Sequence, residues 1–185
     1  MRRWVVVLAV AALAAAAIWW FGVPAAFGPS VYPAASPAIL PAGLDAGTPV
    51  VAAPADIAWS AAFQPTVRAA DDTARRLVAM GAQRSRNLLA IRAAQREMIG
   101  RLAAADGFLR LHPAPPSGAA TAAELAYRDG AVRIRAAMDD ALAGFIRFDW
   151  QRVRRATAEM TAGETSLAAA LATLDRLAAA TPATA

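Results

Sequence analysis

The sequence predicts an all-α protein whose main element is a long, coiled-coil-like antiparallel helical hairpin, preceded by a membrane anchor and a proline-rich linker. Three observations predict this fold class. An uncharged stretch follows two arginines at the N-terminus, proline recurs through residues 24–55, and apolar or small residues then recur at helical spacing on both sides of a proline-rich turn. Steps that alternate between three and four residues keep one narrow stripe facing a neighbouring helix, as in a coiled coil.

Residues 1–23 are predicted to form a single-pass signal anchor in the inner (cytoplasmic) membrane. The uncharged stretch 4–23 would span about 30 Å as a helix, which matches the hydrocarbon core of a bilayer. The two arginines before it favour a cytoplasmic N-terminus, so the bulk of the chain would be periplasmic or otherwise extracytoplasmic. The alternative is a cleaved secretory signal, with Val23 and Ala25 as the small residues before the cut. Both interpretations export the remainder.

Residues 24–55 are predicted to form an extended, polyproline-like linker. Proline occurs at positions 24, 29, 33, 37, 41, 49 and 54, while the stretch contains no Arg and a single acid, Asp45. Because proline donates no backbone hydrogen bond and fixes φ, a helix or a central strand is excluded here, and the segment would reach up to roughly 100 Å if fully extended. We expect it to hold the following domain away from the membrane.

The first helix of the hairpin is predicted at 56–111, with a kink near Pro65. Asp56 is suited to cap its N-terminus. Its apolar seam is carried by positions 67, 70, 74, 77, 81, 84, 88, 91, 95, 98, 102, 105 and 109.

A loop at 112–120 is predicted next, since the stretch from Pro113 to Gly118 cannot continue a helix. His112, the one histidine, is expected to be an exposed turn residue. The second helix is predicted at 121–180, where Thr121 and Glu124 form a capping box. Residues 181–185 are predicted to form a disordered tail.

The two helices are of similar length and would pair as antiparallel neighbours, with position numbers that add to about 230. This register places Leu77 beside Val153. An alternative breaks the second helix near Gly144 or Gly163, because glycine weakens a helix interior. Two helices alone leave much apolar surface wet, so we expect a homodimer that completes a four-helix bundle.

Composition and motifs argue against several functional classes. The chain has no Cys and one His, so a conventional transition-metal site is not expected, and neither is thiol catalysis. The chain has 19 Arg and no Lys, and acidic residues are interspersed among the arginines. No nucleic-acid-binding stripe is therefore predicted. The side chains of Asp71 and Asp72 point in different directions on a helix, and so do those of Asp139 and Asp140. Neither pair of carboxylates would therefore converge as a catalytic acid and base must. We therefore predict no enzyme activity, no catalytic residues and no cofactor.

One dense cluster of aromatic and arginine residues lies at 145–155, and it is the predicted partner-binding segment. Trp and Arg are the residue types most enriched at the energetic centres of protein interfaces. The predicted contact residues are Phe148, Trp150, Arg147, Arg154 and Arg155. The alternative interpretation buries Phe145, Ile146 and Val153 in the seam and leaves the arginines solvated.

A structural salt bridge between Arg84 and Asp149 is predicted from the expected register. Arg84 occupies a seam position where an apolar residue would be more stabilising. Gly81 would lie across from Asp149 and Trp150 and leave room for the indole. The pair would therefore be partly buried beneath Trp150 and would fix the alignment of the helices.

The function predicted from these features is that of a membrane-anchored, extracytoplasmic helical scaffold or adaptor subunit of an envelope complex, which acts by protein–protein contact. One alternative is a sensory or regulatory ectodomain that binds a ligand or a misfolded protein. The other is a secreted, soluble helical protein released by signal cleavage. The expected partners are envelope proteins and a second copy of the chain, together with the membrane through residues 4–23.

Overall fold

A computed structural model describes residues 51–82 and 88–183, and this part of the chain is helical apart from one short pair of strands. The strands are β1, Val51–Ala52, and β2, Thr181–Pro182. The helices are α1, Pro54–Ala82; α2, Leu88–Leu111; α3, Gly118–Arg147; and α4, Trp150–Ala178. The all-α class is thus confirmed for these residues.

The predicted anchor and most of the predicted linker, residues 1–50, lie outside the described residues. Within 51–82 and 88–183, no helix is both long enough and apolar enough to cross a bilayer. The predicted membrane span at 4–23 therefore stays a prediction.

Helix α1 begins at Pro54, where the missing amide is one of those that a helix start leaves unpaired anyway. It continues as helix through Pro65, the position of the expected kink. Pro65 cannot donate to the carbonyl of Ala61, but both residues lie on the exposed face, where water can pair with that carbonyl. The opposite face packs into the core through Phe63 and Val67.

The seam predicted for the first helix is largely buried, but it belongs to two helices. Its buried members among the described residues are Val67, Ala70, Ala74, Leu77, Met98, Leu102, Ala105 and Leu109. Helices α1 and α2 lie side by side, because Phe63 stacks on Phe108 with ring centroids 5.1 Å apart and Arg76 donates to Glu97 at 2.7 Å. A single helix over 56–111 is therefore wrong. The same spacing serves a bundle of short helices and a hairpin of long ones, so it did not reveal where the chain turns.

The loop between α2 and α3 is shorter than the predicted 112–120. Ser117 is the N-cap of α3, and its hydroxyl accepts from the amide of Ala120 at 3.2 Å. The predicted capping box therefore lies inside the helix, where Glu124 forms an ion pair with Arg128 instead. His112 is exposed in this loop, as predicted.

The second predicted helix, 121–180, is also two helices, α3 and α4, which fold back on each other at Phe148 and Asp149. Helix α4 in turn packs antiparallel to α1, since Arg68 pairs with Asp175 at 2.9 Å and Arg75 approaches Glu164 at 3.3 Å. Compared with the predicted sum of 230, these pairs shift the register by about two and a half to three and a half turns.

The result is an up-down-up-down four-helix bundle made by one chain. Helices α1, α2, α3 and α4 follow one another as antiparallel neighbours, and α4 closes the bundle against α1. The prediction of a dimer rested on the apolar surface that two helices would leave wet. A single chain with four helices removes that premise, and the homodimer stays untested.

Helices α3 and α4 approach each other closely at glycines. A Cβ atom added to Gly130 would lie 2.8 Å from the carbonyl oxygen of Gly163, and one added to Gly163 would lie 2.7 Å from Cγ1 of Ile134. Glycine was expected to weaken a long helix at positions such as Gly163. The position of these two glycines shows instead that the missing side chains allow the two backbones to come together.

This close contact also decides which face of α3 is buried. The face toward the core carries small residues with Tyr127 and Ile134, whereas the larger apolar residues Leu125 and Val132 are exposed. Apolar residues alone therefore do not identify the buried face of α3, because Ala and Gly contribute little to an apolar pattern.

Both ends of the described chain lie at the same end of the bundle. Strand β1 pairs in parallel with β2, with Val51 opposite Thr181, and the amide of Ala183 donates to the carbonyl of Ala52 at 3.0 Å. Residues 181–182 are thus paired, where a disordered tail was predicted. The opposite end of the bundle, which we call the tip, carries the α3–α4 turn.

Candidate protein-contact site at the tip of the bundle

The turn between α3 and α4 consists of two residues, Phe148 and Asp149. Phe148 ends α3 in the left-handed region, at φ 55° and ψ 27°, and it is the one non-glycine residue with positive φ among the described residues. The amide of Asp149 donates to the carbonyl of Gly144 at 2.9 Å. Asp149 then caps α4, because its carboxylate accepts from the amide of Arg152 at 3.0 Å. These two residues are therefore enough to reverse the direction of the chain.

A buried ion pair fixes the two helices just below this turn. Nε of Arg152 donates to Oδ1 of Asp140 at 2.6 Å, and Nη2 of Arg152 lies 2.5 Å from the same oxygen. Both side chains are at most one-tenth exposed. Opposite charges with directional hydrogen bonds resist sliding of one helix along the other, so this pair sets the register at the tip.

The aromatic and arginine residues around the turn lie together on the surface, and we call them the tip cluster. Its members are Phe145, Ile146, Arg147, Phe148, Trp150, Arg154 and Arg155, and all are exposed. Phe148 is 77% exposed and Trp150 is 55% exposed. The five predicted contact residues are therefore brought together in an accessible position.

The alternative interpretation, in which Phe145, Ile146 and Val153 are buried in the seam, does not hold for the first two. Phe145 and Ile146 lie at the surface, and only Val153 is half-buried, against Gly144. The ring of Phe145 meets that of Trp150 edge to face, with centroids 5.8 Å apart and planes at 90°. This contact restricts the orientation of the indole.

The predicted salt bridge between Arg84 and Asp149 cannot be followed, because Arg84 lies outside the described residues. The surroundings differ from those expected for it. Gly81 lies next to Thr157 rather than across from Trp150, and the carboxylate of Asp149 serves as a helix cap. A buried Arg–Asp pair that fixes the register does exist, but it is formed by Arg152 and Asp140.

Two further polar groups support the α3 helix from inside the bundle. Tyr127 is fully buried and donates to Asp106 at 2.9 Å, which in turn pairs with Arg135. Burial, together with the neighbouring Asp106 carboxylate, raises the pKa of the Tyr127 phenol, so it stays protonated. Arg133 is also buried and binds Asp129 and, at 2.9 Å, Glu159 of α4. These contacts are explained by the fold alone.

Asp71 is a buried carboxylate that lacks hydrogen bonds of good geometry in the described part of the chain. Its side chain is 1% exposed, and neither carboxylate oxygen has a hydrogen bond of good geometry there, although Nη2 of Arg75 lies 2.5 Å from Oδ2. Burial raises the pKa of the Asp71 carboxyl, Arg75 opposes that effect, and the nearby carboxylates of Glu164 and Asp72 add to it. From the sequence we inferred only that Asp71 and Asp72 diverge on a helix, so the burial of Asp71 was missed.

A shallow cleft of about 410 Å³ lies at the end of the bundle away from the tip. It is lined chiefly by Trp59, Phe108, Leu111 and His112. The indole of Trp59 donates to the carbonyl of His112 at 3.0 Å, and the ring of Phe108 packs against that of His112. These side chains attach the α2–α3 loop to α1, which accounts for their arrangement.

Across residues 51–82 and 88–183, no group of three or more His, Cys, Asp or Glu side chains is arranged so that it could hold a metal ion. Comparison of the chain with protein families, with curated proteins and with solved structures finds no match. The tip cluster is therefore the site on which a functional proposal can be based.

Proposed function

We propose that this chain is a membrane-anchored, extracytoplasmic scaffold or adaptor subunit of an envelope complex and that it binds a protein partner through the tip cluster. The observation that carries the proposal is the conformation and exposure of Phe148. A bulky residue in the left-handed region is unusual, since Gly or Asn adopts that conformation at far lower cost. Here the residue is also an aromatic side chain that faces solvent.

The free-energy cost of this choice is appreciable. A residue with a Cβ atom loses about 1 to 2 kcal/mol in the left-handed conformation. Exposure of the ring adds no compensating burial in the isolated chain. The turn needs a left-handed residue, but it does not need that residue to be Phe. Strained backbone conformations are concentrated at functional sites, so this choice supports a role of Phe148 in contact with a partner.

The geometry of the bundle supports the same proposal. Both ends of the described chain leave at the end marked by the β1–β2 pair, whereas the tip cluster lies at the other end. Helix α4, with 29 residues, separates the two ends by about 43 Å. An anchor at residues 4–23 would therefore connect to the near end and leave the tip facing away from the membrane.

The direct test is site-specific photo-crosslinking in intact cells of the native host. A photoreactive residue at Phe148 should give discrete protein adducts. The matched control is Leu125, which is comparably exposed and apolar but lies on the side of α3. The proposal is overturned if Phe148 gives no protein adduct, or if Leu125 gives the same adducts.

A second variant separates contact from folding. Phe148→Gly relieves the backbone strain, although glycine also gains about 0.4 to 1 kcal/mol of entropy in the unfolded chain. We therefore expect a bundle at least as stable as the parent in urea unfolding, with loss of the partner crosslinked from a probe at Trp150. A less stable variant would show that Phe148 serves the fold.

The anchoring part of the proposal has its own test. A reporter that is active only outside the cytoplasm should be active when it is fused after Ala185, and carbonate washing should leave the protein in the membrane. Release into the wash would overturn the anchor and favour a cleaved signal.

A further inference from the structure

We infer that the segment bound by the tip is acidic and carries apolar side chains, so that carboxylates of the partner pair with Arg154 and Arg155 beside the exposed aromatics. This inference rests on the proposed function and specifies the chemistry of the partner. Its support comes from two arginines without an ion pair that lie beside the exposed aromatic residues of the tip cluster.

Several exposed arginines along the sides of the bundle are paired within the chain. Arg68 binds Asp175 at 2.9 Å, Arg76 binds Glu97 at 2.7 Å, and Arg128 binds Glu124 at 2.6 Å. Arg154 and Arg155 have no acid within ion-pair distance in the described part of the chain. The same holds for Arg96 and Arg110, but Arg154 and Arg155 lie next to the exposed rings of the tip cluster. Their positive charge is left available next to the aromatic residues of the tip cluster.

The acids close to these arginines in sequence or across the turn are already engaged. Glu159, four residues after Arg155 on α4, is bound by Arg133 at 2.9 Å. The carboxylate of Asp149 accepts the amide of Arg152 as the cap of α4. Asp140 is buried and is bound by the Arg152 guanidinium. An acid that completes the tip must therefore come from outside this part of the chain.

An aromatic and a charged side chain are neighbours on one face of α4. Trp150 and Arg154 are four residues apart, so they are neighbours on the helix surface, about 5 to 6 Å apart at Cβ. An apolar side chain of the partner can pack on the indole while an adjacent carboxylate accepts two hydrogen bonds from the guanidinium. Because Phe145 already restricts the indole, little side-chain freedom is lost on binding.

An anionic membrane is the other partner that aromatic and arginine side chains suit. The tip is less suited to it because Asp149 lies between Phe148 and Trp150 in the turn and is itself exposed. A carboxylate at that position would have to enter an anionic headgroup layer together with both rings. A protein segment avoids this conflict.

The test combines the Phe148 photo-crosslink with reversal of charge at the tip. Arg154→Glu with Arg155→Glu should lower the yield of the protein adduct at least about tenfold, since attraction becomes repulsion. The matched control is Arg96→Glu with Arg110→Glu, which changes the net charge equally at exposed arginines away from the tip. The control should stay within about twofold of the parent.

A purified-component measurement uses the full chain in detergent and a short fluorescent peptide of Glu and Leu at helical spacing. The peptide should bind to the chain. An analogue with Gln in place of Glu and an analogue with Ser in place of Leu should each bind at least about tenfold more weakly than the parent peptide.

The inference is overturned if the two analogues bind as well as the parent peptide, if the peptide fails to bind, or if both charge reversals weaken the crosslink equally. It is also overturned if the crosslinked segment, identified by mass spectrometry, is neutral or basic, or if the adducts are lipid. A protein adduct that persists after reversal at the tip leaves the proposed function standing and removes only the acidic partner. No protein adduct at Phe148 in the parent removes both.

Discussion

The buried pair of Asp140 and Arg152 should be essential for the packing of α3 on α4, and a double-mutant cycle can measure its contribution. In Asp140→Leu, the Arg152 guanidinium loses a carboxylate that it contacts at 2.5 and 2.6 Å. In Arg152→Met, the carboxylate is left buried without its cation. Removal of one partner from a buried pair costs about 3 to 5 kcal/mol, because the remaining charge is desolvated and uncompensated.

The corresponding change in melting temperature is large for a bundle of this size. At about 4 °C per kcal/mol, each single variant should melt roughly 12 to 20 °C below the parent. The double variant replaces both charges by apolar groups and should recover at least half of the loss.

The assay is thermal and urea unfolding of the full chain in detergent, followed by circular dichroism. The matched control is the exposed pair of Glu124 and Arg128, which has the same charges but an arginine that is 59% exposed. Its cycle should give no more than about 0.5 kcal/mol. If the two changes at Asp140 and Arg152 are additive, the residues do not interact, and the described register at the tip is wrong.

Two further variants test other features of the core. Asp71→Asn should stabilise the bundle near neutral pH, because burial raises the pKa of the Asp71 carboxyl and its charged form therefore destabilises the folded state. That effect appears as pH rises through the raised pKa, so the advantage should vanish as pH falls toward 3.8, and Asp72→Asn, at an exposed neighbour, should show little of it. Gly130→Ala should destabilise by about 1 to 2 kcal/mol, since the new methyl meets the Gly163 carbonyl at 2.8 Å, and the cost of forcing the helices apart exceeds the gain in helix propensity. Gly100→Ala, which meets nothing within 4 Å, should instead stabilise by about 1 kcal/mol in the same urea titration, and equal effects at both glycines would show that α3 and α4 are not in close contact.

Much of the local structure could be predicted from the sequence, because it follows from spacing. Alternating steps of three and four residues identified the buried faces around Val67 and Leu102. The prolines from Pro113 identified the one turn that the sequence marks clearly. The exposed cluster around Trp150 was found because its charges exclude complete burial.

The remaining features depend on information that spacing does not contain. The turn at Phe148 lacks the glycine or asparagine that usually marks a left-handed helix end, so the only sign of a break was Gly144, four residues earlier, which we gave as an alternative. The inner face of α3 is built from small residues, and its closeness to α4 depends on Gly130 and Gly163 being opposite each other. Register follows from such pairwise contacts, so a wrong turn position also shifted the register from which the Arg84–Asp149 pair was predicted.

The tip concentrates three departures from what stability alone would favour. The turn uses Phe148 where Gly would relieve strain, Trp150 is more than half exposed, and Arg154 has no ion pair in the described part of the chain. Directly beneath, the buried pair of Asp140 and Arg152 and the close approach at Gly144 make the turn rigid. Exposed side chains that lower stability are thus held on a rigid turn. A preformed contact site requires this arrangement, because side chains that are already oriented lose less entropy on binding. Asp71 departs from the same expectation, but it lies in the interior of the bundle, away from any exposed aromatic residue, so its cost is expected to appear in stability and not in partner binding.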